Sequence, residues 1–171
     1  DPIDNKQYST EELTAIVEEA SAWNTYVAAH SYTPRSSQHA VECGVRTIEH
    51  GNLIDIETAN VMAKHNAFLV PTLITYDAMD RNGAALGLPQ ASIHKLQKVK
   101  NEGFNAVNLC REAGVKVGFG TDLLGGLQSE QSVGFRTQNE VDSNRDVLVS
   151  ATAVNAEILN RQEELGFIVV G

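Results

Sequence analysis

The chain has 171 residues, of which 42% are hydrophobic, and this is enough for one domain with a sizeable core. Thirteen Lys and Arg against 22 Asp and Glu give a formal net charge of −9, which argues against nucleic acid or an anionic membrane as the partner. No apolar run reaches the roughly 18 residues of a membrane span, so no transmembrane segment is expected.

Helical and strand patterns alternate along the chain from its first unit onward. Ser9 and Glu12 form a capping-box pattern before a helical apolar period, which predicts a helix over residues 10–22. The later patterns predict, in order, a strand over 26–30, a helix over 34–43, a strand over 45–49, a helix from 55 to 64 or 65, a strand over 67–70, a loop with a helical turn over 75–90, a helix over 92–113, a strand over 115–120, a short helix over 132–140 and a longer helix from 143 to 159. The long loop is expected to cover a site.

The four predicted strands are short and nearly all apolar, and helices connect them. This pattern is typical of a parallel sheet that is buried on both faces. A doubly wound sheet could use four strands, but reactive residues end three of the four, and that favours the rim of a barrel. We therefore predict an α/β fold with parallel strands that forms half of a (β/α)8 TIM-type barrel.

Three of these strand ends carry a metal-capable residue. His30 and His50 each follow a strand-like run. Because neighbouring parallel strands lie only about 4.8 Å apart, their imidazoles are expected to converge on one ion. Asp122 follows the run 115–120, where it either serves as a turn cap or acts in catalysis. Tyr32, two residues beyond His30, either packs against the barrel lip or aims its hydroxyl at a bound substrate.

Other reactive residues have weaker patterns. The remaining histidines lie on predicted helices without a partner at ligand spacing: His39, His65 and His94. Arg35 begins a predicted helix, where it either binds a substrate carboxylate or is solvated, and Tyr76 and Asp77 have the same two interpretations. Cys43 and Cys110 show no CxxC spacing, which predicts reduced, core-facing thiols. Reduced thiols favour a reducing compartment and predict a cytoplasmic protein.

The motifs at three strand ends resemble those of one enzyme superfamily. His30 with Tyr32-Thr-Pro, Ile48-Glu-His50-Gly and Gly118-Phe-Gly-Thr-Asp122-Leu are similar to strands five, six and eight of the amidohydrolase superfamily. The closer resemblance is to its prolidase-like branch, which includes Xaa-Pro and Xaa-Arg dipeptidases. It runs through nearly the whole chain, and residues 151–171 resemble the last barrel helix and the turn into a small β domain. The resemblance therefore implies strands five to eight of the barrel with their helices.

This resemblance also implies a metal-dependent hydrolase that cleaves a C–N amide or dipeptide bond with metal-activated water. In the family, a His-x-His on strand one, a carboxylated lysine on strand four, two later histidines and a strand-eight aspartate hold one or two divalent ions, usually zinc. His30 and His50 match the later histidines, and Asp122 matches the aspartate. Asp122 is then expected to act as the base and to pass the proton to the leaving amine. Tyr32 is expected to help polarise the scissile carbonyl and stabilise the oxyanion.

The sequence also departs from the family pattern. No His-x-His occurs in it, and Lys6 lies in a polar segment rather than at a strand end. The chain opens on Asp1 rather than on methionine. We therefore expect residues 1–171 to be the C-terminal half of the catalytic barrel, inactive alone, without the N-terminal half-barrel and the small β domain.

Four strands cannot close a barrel, and two open edges need a cover. The expected partners are a dipeptide or other small-molecule substrate and either the missing half-barrel or a second copy of the chain, which predicts a homo-oligomer. The alternative is a non-catalytic, self-associating α/β half-barrel that retains relic metal ligands. The sequence does not specify the exact substrate.

Overall fold

The structure is a computed structural model that describes residue 3, residues 5–83 and residues 90–170. Within these residues, one helix is followed by strands and helices in alternation. The elements are α1 (Thr10–Ala22), β1 (Ala28–Ser31), α2 (Pro34–Glu42), β2 (Thr47–His50), α3 (Ile56–Lys64), β3 (Phe68–Val70), α4 (Leu73–Asn82), α5 (Gln90–Glu112), β4 (Lys116–Val117), a 3-10 helix (Gly125–Glu130), α6 (Val133–Gln138), α7 (Asn144–Val149), a π-helical turn (Ser150–Val154) and α8 (Asn155–Ile158).

The four strands form one parallel sheet in the order β1-β2-β3-β4. Each strand pairs in parallel with its neighbour along the chain, as in a (β/α) barrel. The sheet is not closed, because β1 and β4 remain its edges in the part of the chain that the structure describes. The predicted α/β half-barrel with parallel strands is confirmed.

The main core lies between the sheet and the helices that connect its strands. Ile48, Leu69 and Val117 come from three different strands and have 0% exposure. They pack in one cluster with helix residues such as Met62 and Val107. Fully burying a side chain of this size stabilises the fold by about 1.5–3 kcal/mol, so this layer fixes the strand positions. Side chains alternate along a strand, so the strand residues next to Ile48, Leu69 and Val117 project to the opposite, inner face of the sheet.

Residues 73–82 form helix α4, so the prediction of a loop over 75–90 is wrong for the part that the structure describes. Residues 84–89 lie outside the described residues. In α4, Leu73, Ile74 and Ala78 are buried. The glycines and the proline that follow suggest a loop, but burial of this apolar face stabilises a helix of only ten residues.

The other predicted helices and all four strands are present. The strand predicted over 115–120 is only two residues long, and the helix predicted over 143–159 is divided into α7 and α8 by the π-helical turn. Helix α5 continues through Gly103. A Cβ atom there would lie 2.6 Å from Nδ2 of Asn52. That amide donates a hydrogen bond to the carbonyl of Val99 at 3.1 Å, so the glycine allows Asn52 to pack against the helix. None of the helices within the described ranges combines the length and the apolar character needed to cross a bilayer.

Both cysteines are free thiols. Cys110 has 0% exposure, as predicted, whereas Cys43 at the end of α2 is only half-buried. Burial raises the pKa of the Cys110 thiol to about 12.

Iodoacetamide is therefore expected to modify Cys43 in the native chain and to leave Cys110 unmodified. At about pH 8, only roughly 1 in 10⁴ Cys110 side chains would be thiolate, and the reagent cannot reach them. Mass spectrometry of tryptic peptides measures both sites, and guanidinium should make both reactive. Equal native rates at the two sites would contradict the buried position of Cys110.

Candidate active site

Side chains from the carboxyl ends of β1 and β2 meet at the end of the sheet where these strands stop. Nδ1 of His30 lies 2.7 Å from Nε2 of His50, and the ring centroids are 4.9 Å apart. The ring of Tyr32 stacks on His50 at 5.0 Å with an angle of 9° between the planes. Tyr76 contacts the same imidazole edge-on at 6.1 Å. The structure thus brings together two histidines and a tyrosine that the sequence selects separately.

Strained backbone occurs at the end of β2 and in the segments that follow β3 and β4. His50, Thr72 and Asp122 have φ angles of 77°, 45° and 50°, in the left-handed region. Residues other than glycine are uncommon there, and a β-branched threonine is an outlier. Each such residue costs about 1–3 kcal/mol and persists only where the surroundings fix it, which is typical of functional sites.

His50 is held as a neutral imidazole. It is only 4% exposed, and its Nδ1 lies 2.8 Å from Oγ1 of Thr72. Burial, followed by the nearby His30, lowers the pKa of His50 to about 4, while Asp122 opposes this shift. A metal-binding imidazole must be neutral, and its second nitrogen is usually anchored by a polar partner. Both conditions are met at His50.

Two tyrosine hydroxyls lie next to this imidazole. The hydroxyl of Tyr76 donates a hydrogen bond to that of Tyr32 at 3.2 Å. Burial, followed by this bond, raises the pKa of Tyr76 far above its ordinary value, so the phenol stays protonated. Tyr32 accepts the bond, and its own proton remains available for another acceptor. From the sequence, Tyr76 is only a possible substrate contact, because its support of Tyr32 depends on α4.

Glu49 is a site neighbour that the sequence does not reveal. It is the register partner of His30, and the two therefore share the inner face of the sheet. The hydroxyl of Thr47 donates to its Oε1 at 2.7 Å. Burial raises the pKa of Glu49, against the opposing effect of the Thr47 bond. Ile48 packs between the sheet and the helices, and Glu49 is the next residue of the same strand. The alternation of side chains along a strand could therefore have predicted that Glu49 lies on the inner face of the barrel.

Asp122 lies near this group without touching it. Its side chain is exposed, and its carboxylate makes no hydrogen bond or ion pair within the part of the chain that the structure describes. Its backbone carbonyl accepts a hydrogen bond from Oγ1 of Thr75 at 3.0 Å. Asp122 nevertheless acts electrostatically on His50. The described residues contain no group of three metal-capable side chains, so the structure brings two of the three predicted ligands together.

The chemistry of the donor set fits part of a metal site. Two imidazole nitrogens that lie 2.7 Å apart, joined by a hydrogen bond, are donors of the kind that Zn²⁺ prefers, and a bound ion would replace the proton between them. Catalytic zinc sites use about three protein ligands, so this pair needs further donors.

Comparison with known protein families identifies the family of this chain. The match to the amidohydrolase family spans residues 1–171. This chain belongs to the amidohydrolase family.

Solved structures extend this family assignment. A crystal structure of a prolidase complexed with N-methylphosphonate-L-proline shares 53% identity and a TM-score of 0.95 with this amidohydrolase chain. That match covers 100% of this chain and 42% of the prolidase. A Xaa-Pro dipeptidase with bound methionine in the active site shares 26% identity and a TM-score of 0.85, over 96% of this chain and 41% of the other.

A curated relative agrees with these structures. Ochratoxinase from Aspergillus niger is 29% identical over 148 residues, which is 86% of this chain and 30% of that protein. The amidohydrolase chain therefore spans less than half the length of the relatives that it matches.

In this amidohydrolase chain, Asn155 fixes the segment that leads to Asp122. Its Nδ2 donates to the carbonyl of Phe119 at 2.8 Å, and its Oδ1 accepts from the amide of Phe119 at 3.0 Å. Ser150 donates to the carbonyl of Val117 at 2.7 Å. These side chains bind backbone groups that another strand would otherwise pair. From the sequence, Asn155 is visible only as part of a family-like motif.

A cavity of ≈ 700 Å³ opens beside β1. His30 and Tyr32 line one part of it, and residues 5–8 line another. Cavities of about this size accept small-molecule ligands. Arg35 does not line this cavity, is exposed, and makes no hydrogen bond or ion pair with any residue that the structure describes. Its predicted role in binding a substrate carboxylate stays a prediction.

Proposed function

We propose that this amidohydrolase chain forms the C-terminal half of the catalytic barrel of a metal-dependent hydrolase that cleaves the amide bond of Xaa-Pro-type dipeptides. The 2.7 Å approach of His30 Nδ1 to His50 Nε2 carries this proposal. Similarity to a prolidase and to a Xaa-Pro dipeptidase supports the substrate class.

His30 and His50 would hold a divalent ion, preferably zinc, through the two nitrogens that face each other. When bound, such an ion supplies Lewis-acid activation of water and of the scissile carbonyl. Burial keeps His50 neutral, and Thr72 keeps its ring oriented. Asp122 is our predicted third ligand, and any further ligands would come from the rest of the barrel.

Asp122 and Tyr32 would move protons and orient the substrate. The exposed carboxylate of Asp122 can accept a proton from the attacking water and return it to the leaving nitrogen. Tyr32 accepts a hydrogen bond from Tyr76, so its own hydroxyl can donate to the carbonyl oxygen as negative charge develops there. Arg35 is our candidate for the carboxylate of the dipeptide.

The open sheet supports the half-barrel part of the proposal, since β1 and β4 each lack one neighbour among the described strands. The chain also covers only 42% of the 53% identical prolidase. We infer that the rest of the barrel, or a second copy of this chain, covers these edges.

The isolated chain is accordingly expected to self-associate. Besides its open edges, it exposes Phe167 at 66%, Ile168 at 106% and Val170 at 102%. Exposed apolar runs and unpaired strand edges promote association. Light scattering over a range of concentrations measures the mass, and a monomer at every concentration would contradict the expectation.

A chimera tests the catalytic proposal. This chain replaces the matched segment of the 53% identical prolidase, so that the relative supplies everything else. We expect the chimera to hydrolyse Xaa-Pro dipeptides, to lose activity with a chelator and to regain it with zinc. The same chimera with His50→Ala is the control. A folded, zinc-loaded chimera that hydrolyses no Xaa-Pro or Xaa-Arg dipeptide would overturn the proposal.

A further inference from the structure

Side chains from the C-terminal part of the chain occupy the outer edge of β4. The amide of Gly118 donates to a carbonyl of β3 at 2.8 Å. Backbone groups of successive strand residues point to alternate sides, so those of Val117 and Phe119 point away from β3. Ser150 donates to the carbonyl of Val117 at 2.7 Å. Asn155 binds both the N–H and the C=O of Phe119, at 3.0 and 2.8 Å. Two side chains thus bind three backbone groups that would otherwise pair with a neighbouring strand.

The π-helical turn Ser150–Val154 brings these two side chains to one side of their helix. In an α-helix with about 3.6 residues per turn, side chains five positions apart point about 140° away from each other. Here the amide of Asn155 donates to the carbonyl of Ser150, which is the wider i to i+5 bond of a π-helix. This wider turn allows both residues to face β4. Single π-helical turns of this kind occur frequently at functional sites.

Gly118 allows this helix to come close to β4. A Cβ atom at Gly118 would lie 2.8 Å from Oδ1 of Asn155 and 2.7 Å from Cδ1 of Ile158. Ile158 is buried in one apolar cluster with Phe68 of β3, so the helix cannot easily retreat. A larger residue at position 118 would push the helix away, and the contacts of Asn155 therefore depend on this glycine.

An ion pair fixes Ser150 in turn. Ser150 is 0% exposed, and its Oγ accepts a hydrogen bond from Arg111 of α5 at 2.9 Å. The guanidinium of Arg111 is held by both carboxylate oxygens of Asp142. A serine hydroxyl has one proton, so accepting from Arg111 leaves that proton for the carbonyl of Val117. The position of the π-helical turn is thus fixed from the side of α5 as well as from β4.

The carboxylate of Asp122 depends on the same backbone for its position. Asp122 follows Phe119 by three residues, and its side chain makes no hydrogen bond or ion pair among the described residues. Its φ of 50° lies in the left-handed region, and such a conformation persists only where the surroundings fix it. Asn155 holds the start of this segment at Phe119. Thr75 holds its end by donating to the carbonyl of Asp122 at 3.0 Å.

We propose that Asn155 is a positioning residue that, with Ser150 on the same π-helical turn, takes the place of a neighbouring strand at β4 and fixes the backbone that carries Asp122. The consequence for catalysis rests on the proposed function, in which Asp122 is the base. The consequence for the backbone at Phe119 does not depend on any hydrolysis.

Amide hydrogen exchange tests the backbone part in the chain itself, with single amides resolved by fragmentation in the mass spectrometer. The Gly118 amide bonds to β3 and serves as the internal reference for any loss of global stability. We expect Asn155→Ala to raise the ratio of the Phe119 and Gly118 exchange rates about fivefold or more, because the Phe119 amide loses its acceptor. Asn144→Ala is the matched control, because Asn144 is exposed at the start of α7. An unchanged ratio in a folded N155A would overturn the proposal.

Kinetics of the chimera, with saturating zinc, test the catalytic part. N155A should lower kcat about 10–100-fold with a smaller effect on KM, since a displacement of about 1 Å in a catalytic group can cost about 100-fold in rate. A double-mutant cycle with Asp122→Asn is decisive: N155A should have little further effect on the kcat of D122N, because it acts through Asp122. An equally large loss of kcat in both backgrounds would overturn the positioning role.

A second variant decides the outcome if N155A does not fold. Asn155→Asp keeps the size of the side chain and an acceptor for the Phe119 amide, but it loses the donor to the Phe119 carbonyl. We expect N155D to retain slow exchange at Phe119 and to show a reduced kcat. A kcat of N155D equal to that of the unmodified chimera would contradict the proposal. An inactive chimera with the expected exchange ratios would refute the proposed function and support the backbone role of Asn155.

Discussion

Replacing His50 with alanine is expected to reduce the affinity of the chain for Zn²⁺ at least about 100-fold, and His30→Ala should have a similar effect. The two imidazole nitrogens lie 2.7 Å apart, so either substitution leaves a single nitrogen donor at this position. Equilibrium dialysis followed by elemental analysis measures the loss. His65→Ala is the matched control, because His65 is exposed at the end of α3. Unchanged affinity in H50A would contradict the assignment.

Stability measurements separate metal binding from packing in these variants. His50 is buried, so H50A is expected to unfold more easily even without metal. The zinc-dependent part is diagnostic: at about 100 times Kd, a bound ligand stabilises the native state by about 2.7 kcal/mol. We expect zinc to raise the Tm of the unmodified chain and of His65→Ala, and to raise the Tm of H50A and H30A by at most about a sixth as much, because a 100-fold weaker site gains only about 0.4 kcal/mol at the same zinc concentration. A rise in Tm of H50A equal to that of the unmodified chain would exclude His50 as a ligand.

The strand framework was predictable because burial imposes a local pattern. Short apolar runs followed by a histidine are sufficient to predict β1 and β2 and to place His30 beside His50. Because consecutive strands are neighbours in the parallel sheet, the carboxyl ends of β1 and β2 lie side by side. Convergence of the two imidazoles is therefore a consequence of local pattern and simple topology.

The support around these histidines was not predictable in the same way. Helix α4 depends on burial of its apolar face and on Lys100, which lies in another helix. The contacts of Thr72 and Tyr76 could not be inferred once α4 was expected to be a loop. Asn155 binds Phe119 across 36 residues of sequence, and no local pattern predicts such a pair. Most features of the site that the sequence pattern does not predict are polar contacts between segments distant in the sequence.

Asp122→Asn in the chimera is expected to lower kcat by about 10²–10⁴-fold, because the amide cannot take a proton from water. The same substitution should leave stability nearly unchanged. The carboxylate of Asp122 is exposed and makes no hydrogen bond or ion pair among the residues that the structure describes. Steady-state kinetics and urea unfolding measure the two effects on one protein sample.

Asp142→Asn is the matched control, and its expected effects are the reverse. The Asp142 side chain is only 4% exposed, and its two oxygens accept from Arg111 at 3.0 and 2.8 Å. Breaking this pair should cost about 2–3 kcal/mol, less than for a fully buried pair because Arg111 is partly exposed. The kcat of folded D142N should stay within about threefold of the unmodified chimera, because single substitutions away from the site act mainly through stability. If D122N keeps its kcat, or loses as much stability as D142N, then Asp122 is a structural residue and the base must be sought elsewhere.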